Sequence, residues 1–167
     1  MTALESTGSL LSLRNEALQV AITQIGKQEN PKGSNWGDDV SVYLKSVGIN
    51  FPASWCMAFV YWCFEKAAEE LGVSNPMVKT GGVLAQYNAS KKLYLVKGVP
   101  KAGDVFIMDF GHGLGHTGII EIYDDSMEQM HTIEGNTNND GSRNGFEVER
   151  KIRNVNSSLI KGFLRFT

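Results

Sequence analysis

The amino-acid sequence predicts an α+β fold in which helices come first and strands follow. Apolar residues recur at helical spacing in segments before residue 92. After Pro100 the apolar segments become short, rich in β-branched residues and separated by Gly, Asn and Asp clusters. Helices followed by strands are typical of α+β proteins, so we expect an antiparallel sheet packed on the helix that begins near Cys56.

Four helices are predicted in the N-terminal part of the chain. The first carries an apolar stripe and ends at Gly26, a residue type that commonly follows a helix C-terminus; the stripe consists of Leu13, Ala17, Val20, Ala21 and Ile25. The second is predicted over about residues 38–47, the third over 55–71 and a short fourth over 82–91. The third has an apolar face made of Cys56, Phe59, Val60, Cys63 and Ala67. Strands are predicted over residues 104–110, 117–123, 129–134 and 158–166.

Composition indicates one globular domain. The chain has 167 residues, 42% of them hydrophobic and 20% charged, which is enough to bury a full core. We expect a single domain over residues 10–167 and a flexible arm over residues 1–9, which show no signal-peptide pattern. A net charge of −2 argues against nucleic acid as a partner and against a polybasic membrane anchor.

The two cysteines have different positions on the third predicted helix. Cys56 lies in its opening turn, where free N–H groups and the helix dipole stabilise a thiolate, although a buried structural thiol is the alternative. Cys63 lies in mid-helix and is predicted to be structural. Seven residues of helix separate them by about 10 Å, too far for a disulfide.

Of the three histidines, we favour His116 as a functional residue. It starts a predicted strand and has Gly115 and Gly118 beside it; regular alternation gives it a face with Gly118, Ile120 and Ile122, expected to be the core side. His112 lies in a glycine-rich loop and His131 is expected at the surface or with its own partner. No spacing of metal ligands accompanies them, so neither a metal nor another cofactor is predicted.

Glu134 and Asn136 are the candidate partners of His116. They share a strand face if the chain stays extended through Gly135, although that glycine favours a bulge. Either could accept the Nδ1–H of His116, and either could be an ordinary turn residue. We prefer Glu134 as the direct partner, with Asn136 supporting it or contacting substrate. Cysteine, then histidine, then Glu or Asn is the order of a papain-like nucleophilic hydrolase.

Three blocks of the sequence resemble the cysteine, histidine-dependent amidohydrolase/peptidase (CHAP) family of peptidoglycan hydrolases. They are Trp55-Cys56-Met57-Ala58-Phe59-Val60-Tyr61-Trp62, then Ala102-Gly103-Asp104-Val105 leading to Gly115-His116-Thr117-Gly118-Ile119-Ile120, and finally Thr132-Ile133-Glu134-Gly135-Asn136-Thr137. Together and in this order they form a specific pattern, whereas each alone would be weak.

The resemblance implies a papain-like fold and catalytic roles for Cys56, His116, Glu134 and Asn136. It implies hydrolysis of amide bonds in bacterial cell-wall peptide, by an N-acetylmuramoyl-L-alanine amidase or an endopeptidase. Some relatives have an aspartate-rich calcium loop before the cysteine, where this chain offers only Asp38-Asp39, so calcium is not predicted. Trp36, Trp55 and the loop 111–115 are either walls of a substrate groove or, for the two tryptophans, core residues.

Other functions remain open on the same scaffold. A catalytically silent module could bind cell-wall fragments in the groove. The same hydrolase could serve as an interbacterial toxin with an immunity protein as partner, or as a phage endolysin. In each case we expect a monomer that acts at the bacterial cell wall and has no membrane anchor.

Overall fold

A computed structural model describes residues 12–137 and 145–167 of the chain; the arm expected over residues 1–9 lies outside them. The helices are α1 (Leu13–Thr23), α2 (Asp38–Ser46), α3 (Cys56–Leu71) and α4 (Val83–Tyr94). The strands are β1 (Val105–Gly111), β2 (Leu114–Asp124), β3 (Gln129–Thr137), β4 (Glu147–Asn154) and β5 (Ile160–Leu164). The predicted α+β class, with helices first and strands later, is confirmed.

The strands form one antiparallel sheet in the order β4-β3-β2-β1-β5. Strand β4 was not predicted, because its sequence alternates charged residues with only two apolar ones, Val148 and Ile152. Val148 is buried in the core whereas Ile152 is largely exposed. As an edge strand, β4 needs few apolar residues, and its charges protect the open edge.

Helix α3 lies at the centre of the molecule. Its first full turn after Cys56 is buried on every side, and Met57, Ala58, Phe59 and Val60 have no exposed surface. A helix that is apolar all round belongs in a core. Helices α1 and α2 pack on α3, and strands β2 and β3 cover another side. Within the described ranges, no helix is long and apolar enough to cross a membrane.

The sheet has two buried faces. Val105, Ile107, Ile119 and Ile133 pack with the helices. The opposite face carries a smaller apolar cluster of Phe106, Met108, Ile120 and Met130. Contacts across that face join strands that are not neighbours in the sheet, such as Tyr123 of β2 with Phe163 of β5 at 6.2 Å between ring centroids. Large side chains on this face therefore meet across the intervening strand β1.

His116 lies on the second face, with the smaller cluster, and not on the face packed against the helices. It pairs with Met108 of β1, whose side chain belongs to the smaller cluster. The alternation predicted through Ile122 is wrong at its far end. The register of β2 against β3 shifts between Ile120 and Ile122, and Ile122 is consequently half-exposed.

Candidate active site

The start of helix α3 fixes the position of Cys56. The Trp55 carbonyl accepts the first helical hydrogen bond, from the Phe59 N–H at 2.9 Å. Cys56 follows as the first helical residue and is 6% exposed. The N–H groups of a first helical turn have no partner within the helix, so they are available to an anion beside the sulfur.

Trp55 is anchored on two sides. Its backbone N–H donates to Asn136 Oδ1 at 2.9 Å, and its indole Nε1–H donates to Glu29 Oε1 at 2.9 Å. Its ring stacks on Tyr43 with 5.7 Å between centroids and has no exposed surface. Of the two alternatives that the sequence left open for Trp55, this burial favours the core one, with the indole positioning the start of α3.

His116 reaches its carboxylate partner through the ring nitrogen that was not expected. Nε2 lies 2.7 Å from Glu134 Oε1, whereas the sequence argument assigned this bond to Nδ1. The imidazole is almost fully buried, and Nδ1 has no hydrogen bond of normal geometry to any described residue. Because Glu134 occupies Nε2, Nδ1 is the nitrogen left for Cys56.

The charge of His116 depends on both neighbours. Burial alone would lower the pKa of the imidazole, but interactions with Cys56 and Glu134 outweigh burial and raise this pKa to about 9. His116 is therefore a cation at neutral pH when Cys56 is a thiolate. An imidazolium next to a thiolate is the reactive state of cysteine hydrolases.

Glu134 has no exposed surface, yet its carboxylate is fully satisfied. Besides His116, it accepts from Thr132 Oγ1 at 2.6 Å and from Arg153 Nε and Nη2 at 2.5 and 2.7 Å. Burial would raise the pKa of this carboxyl, but the bonds to Arg153 and His116 dominate and lower the pKa to about 2. Glu134 is therefore an anion throughout the physiological pH range.

Gly118 makes room for that carboxylate. It lies two residues after His116 on β2, and a Cβ at this position would lie 2.6 Å from Glu134 Cγ and 2.8 Å from the Ile133 carbonyl oxygen. Any other residue would push the Glu134 side chain away from His116. The small residue noted next to His116 in the sequence therefore serves the approach of Glu134.

A bulge at Gly135 separates the roles of Glu134 and Asn136. The register of β3 against β4 shifts between Glu134 and Thr137, and Asn136 adopts a left-handed φ of 56°. Asn136 Oδ1 accepts the Trp55 N–H, and Nδ2 donates to the Gly145 carbonyl at 2.6 Å. The two side chains thus do not share a face, and Asn136 contacts the start of α3 while Glu134 contacts His116.

Among the described residues, no hydrogen bond joins the remaining sequence candidates to this group. Cys63 is fully buried, and burial raises the pKa of its thiol well above the usual value. His112 is exposed in the β1–β2 turn and His131 is partly buried on β3. Trp36 is partly buried, packs on the core and has Lys45 Nζ 5.9 Å from its ring centroid. In the described part of the chain, no three His, Cys, Asp or Glu side chains are grouped to hold a metal.

Two residues of the site were missed in the sequence. Thr132 stands two positions before Glu134 on the same strand, so strand alternation could have placed both side chains on one face. Arg153 lies 19 residues beyond Glu134 on β4, the strand that was not predicted, and carried no local signal.

Comparison with protein families matches the CHAP domain over residues 47–136, which is more than half of the chain. The chain belongs to the CHAP family. The matched range contains Cys56, His116, Glu134 and Asn136. Comparison with curated proteins gave no match.

Solved structures with a similar fold include a crystal structure of Ly7917. This CHAP chain is 18% identical to it, with a TM-score of 0.53, and the match covers 93% of this chain and 62% of that one. A crystal structure of Ly7917 with the hydrolyzing product of MDP matches at 18% identity and a TM-score of 0.50, covering 92% and 62%. The chain thus spans about three-fifths of the length of these structures, and the likeness establishes their shared papain-like fold.

Proposed function

We propose that this CHAP protein is a peptidoglycan hydrolase in which Cys56 attacks amide bonds of bacterial cell-wall peptides. The observation that carries the proposal is the buried connection from Glu134 to His116 beside the thiol that opens α3, with 2.7 Å between Glu134 Oε1 and His116 Nε2. A module that only binds cell wall has no need of an oriented imidazole next to a cysteine at a helix N-terminus.

The acylation step uses the free nitrogen of His116. The Cys56 proton passes to Nδ1, and the sulfur attacks the amide carbonyl carbon. The carbonyl oxygen gains the negative charge and is stabilised by backbone N–H groups at the start of α3. Since the Trp55 N–H is bonded to Asn136, the Cys56 N–H is the first donor available. The imidazolium then protonates the leaving amine as the C–N bond breaks, and a thioester remains.

The deacylation step returns the enzyme to its first state. A water molecule gives a proton to His116 and its oxygen attacks the thioester carbon. The C–S bond breaks, Cys56 leaves as a thiolate beside the imidazolium, and the acyl product is released as a carboxylic acid that loses its proton to solvent. This product is a peptide for an endopeptidase and muramic acid for an amidase. Throughout both steps Glu134 holds Nε2–H, which fixes the tautomer and stabilises the imidazolium.

Cell-wall peptide as the substrate is supported from two sides. The CHAP sequence pattern covers all four proposed catalytic residues, and Ly7917 has been crystallised with the hydrolyzing product of MDP, which is a peptidoglycan fragment. Of the two tryptophans considered as groove walls, Trp36 is partly buried against the core and is the one proposed to contact substrate.

Digestion of purified sacculi tests the function. We expect the protein to release new amino groups and no new reducing sugar ends, because a thioester mechanism cleaves amides and not glycosidic bonds. Mass spectrometry of the products then separates the two reactions: an amidase frees intact stem peptides from muramic acid, whereas an endopeptidase shortens or uncouples them. Reducing ends without new amines, or no release of either, would contradict the proposal.

Glu134 and Asn136 are predicted to contribute unequally. Glu134→Gln keeps the size of the side chain but removes its charge, so we expect a loss of turnover approaching 10⁴-fold, about the effect of replacing the orienting carboxylate of a catalytic triad. Asn136→Ala leaves His116 untouched but removes the acceptor of the Trp55 N–H, which costs about 1–3 kcal/mol of stability. Turnover on sacculi and thermal unfolding are measured for both variants. A larger loss of turnover for Asn136→Ala would reverse the assignment.

A further inference from the structure

Arg153 forms a bidentate ion pair with the Glu134 carboxylate, the group that binds His116. Its Nε and Nη2 lie 2.5 and 2.7 Å from the two carboxylate oxygens of Glu134. The guanidinium is mostly buried, with 21% of the side chain exposed, and its central carbon lies 5.7 Å from the ring centroid of Phe106. Both contacts hold the planar group in a single orientation.

Arg153 continues a row of alternating charges that begins at the thiol. In the reactive state Cys56 is negative, His116 positive, Glu134 negative and Arg153 positive, and each is next to the following one. His116 and Glu134 are both almost wholly buried. A buried anion such as Glu134 is costly unless it is paired and hydrogen-bonded. His116 provides a positive charge in only part of the catalytic cycle, because it gives its proton to the leaving amine. Arg153 is the permanent cation of the row.

Another arginine of the same strand provides a contrast. Arg150 also binds a carboxylate with two nitrogens, at 3.0 Å each to Glu121. However, 55% of its side chain is exposed. Among the described residues, its partner Glu121 forms no hydrogen bond or ion pair with Cys56, His116 or Glu134. Ion pairs of this surface kind contribute little to stability. Arg150 is therefore a matched control for the loss of an arginine–carboxylate pair from β4.

We propose that Arg153 is a positioning residue for catalysis, which keeps the Glu134 carboxylate ionised and turned toward His116. The inference deepens the proposed function, because it rests on the assignment of His116 and Glu134 to the Cys56 reaction. Glu134 also faces Glu149, the residue opposite it on β4, whose pKa is raised to about 7 by burial and by Glu147 against the effect of Lys151. Without Arg153, the buried Glu134 carboxyl would take up a proton in mildly acidic solution. A protonated Glu134 no longer provides the negative charge that stabilises the imidazolium, so His116 would be a weaker base for the Cys56 proton.

The test compares Arg153→Gln, Arg153→Lys and Arg150→Gln. Cys56 is alkylated with iodoacetamide as a function of pH, a reaction that needs no peptidoglycan, and the buried Cys63 is checked by peptide mapping. For Arg153→Gln we expect the acid-side midpoint of the Cys56 alkylation profile to move up by about one pH unit, the lower end of what one neighbouring charge does to a carboxyl group. We expect kcat/KM on sacculi to fall roughly 10- to 100-fold, by analogy with the loss on removing groups that orient metal ligands.

The two other variants separate charge from packing. Arg153→Lys keeps a positive charge but cannot form the bidentate pair with Glu134. The midpoint of the alkylation profile should therefore return to the wild-type value, while kcat/KM recovers only in part. Arg150→Gln should leave both unchanged. The proposal is overturned if Arg153→Gln keeps the wild-type midpoint, even with a lower melting temperature, or if Arg153→Lys has the same midpoint as Arg153→Gln. A shifted midpoint in a protein that does not digest sacculi would contradict the proposed function and support the role of Arg153.

Discussion

Cys56→Ala is expected to abolish amide-bond hydrolysis while the protein remains folded. Removing the nucleophile of a hydrolytic triad costs about 10⁶ in turnover, and no other described thiol can replace it because Cys63 is fully buried in the middle of α3. Cys56 is at the end of its helix and slightly exposed, so alanine fits there without leaving a large cavity. Release of amino groups from purified sacculi measures turnover, and circular dichroism on heating measures folding.

Cys63→Ser is the matched control on the same helix. The hydroxyl enters a site with no exposed surface, and an unpaired buried hydroxyl costs roughly 1–3 kcal/mol. We therefore expect a lower melting temperature but a near wild-type rate per folded molecule. Near wild-type turnover in Cys56→Ala would show that the nucleophile is elsewhere.

Much of the fold could be predicted from the sequence, because most elements carry a clear apolar pattern. Helix α3 was placed to within one residue, since its apolar residues and the following Gly72 are local signals. Strand β4 was missed because an edge strand with one buried residue, Val148, looks like a charged loop. The position of β4 is set by its pairing with β3, and a local sequence pattern does not show which strands pair.

The site could be predicted in part for a similar reason. Cys56 and His116 lie at ends of elements with distinct patterns, and the structure brings them together. Glu134 was preferred over Asn136, but regular alternation gives both the same face and so could not secure this ranking. The bulge at Gly135 decides the geometry: a Cβ there would lie 2.7 Å from Trp55 Cζ3 and 3.0 Å from Phe59 Cβ, so close packing of β3 on α3 requires glycine at this position. Packing of this kind is not visible in a single sequence.

His116→Ala is expected to be as damaging as Cys56→Ala, because the base and the nucleophile act as one unit. Without the imidazole, Cys56 loses its proton acceptor and the leaving amine loses its proton donor. His112→Ala and His131→Ala should reduce turnover far less, since His112 is exposed in a turn and His131 is on the part of β3 that pairs with Ile122 and Ile152. Turnover on sacculi is measured for all three variants at a common pH and corrected for the folded fraction.

The pH dependence tests the same assignment independently. The pKa of His116 is raised from 6.5 to about 9, by Cys56 and Glu134 against the effect of burial, so the folded state binds this proton more tightly than the unfolded state. Its contribution to stability is fully present below about pH 6.5 and is lost as pH rises through about 9. Turnover and the free energy of unfolding should therefore decline together over this range, and the stability decline should be absent in His116→Ala. An equal loss of turnover in His131→Ala would mean that the base lies on β3. The same alkaline loss of stability in His116→Ala would mean that a group other than His116 causes this loss.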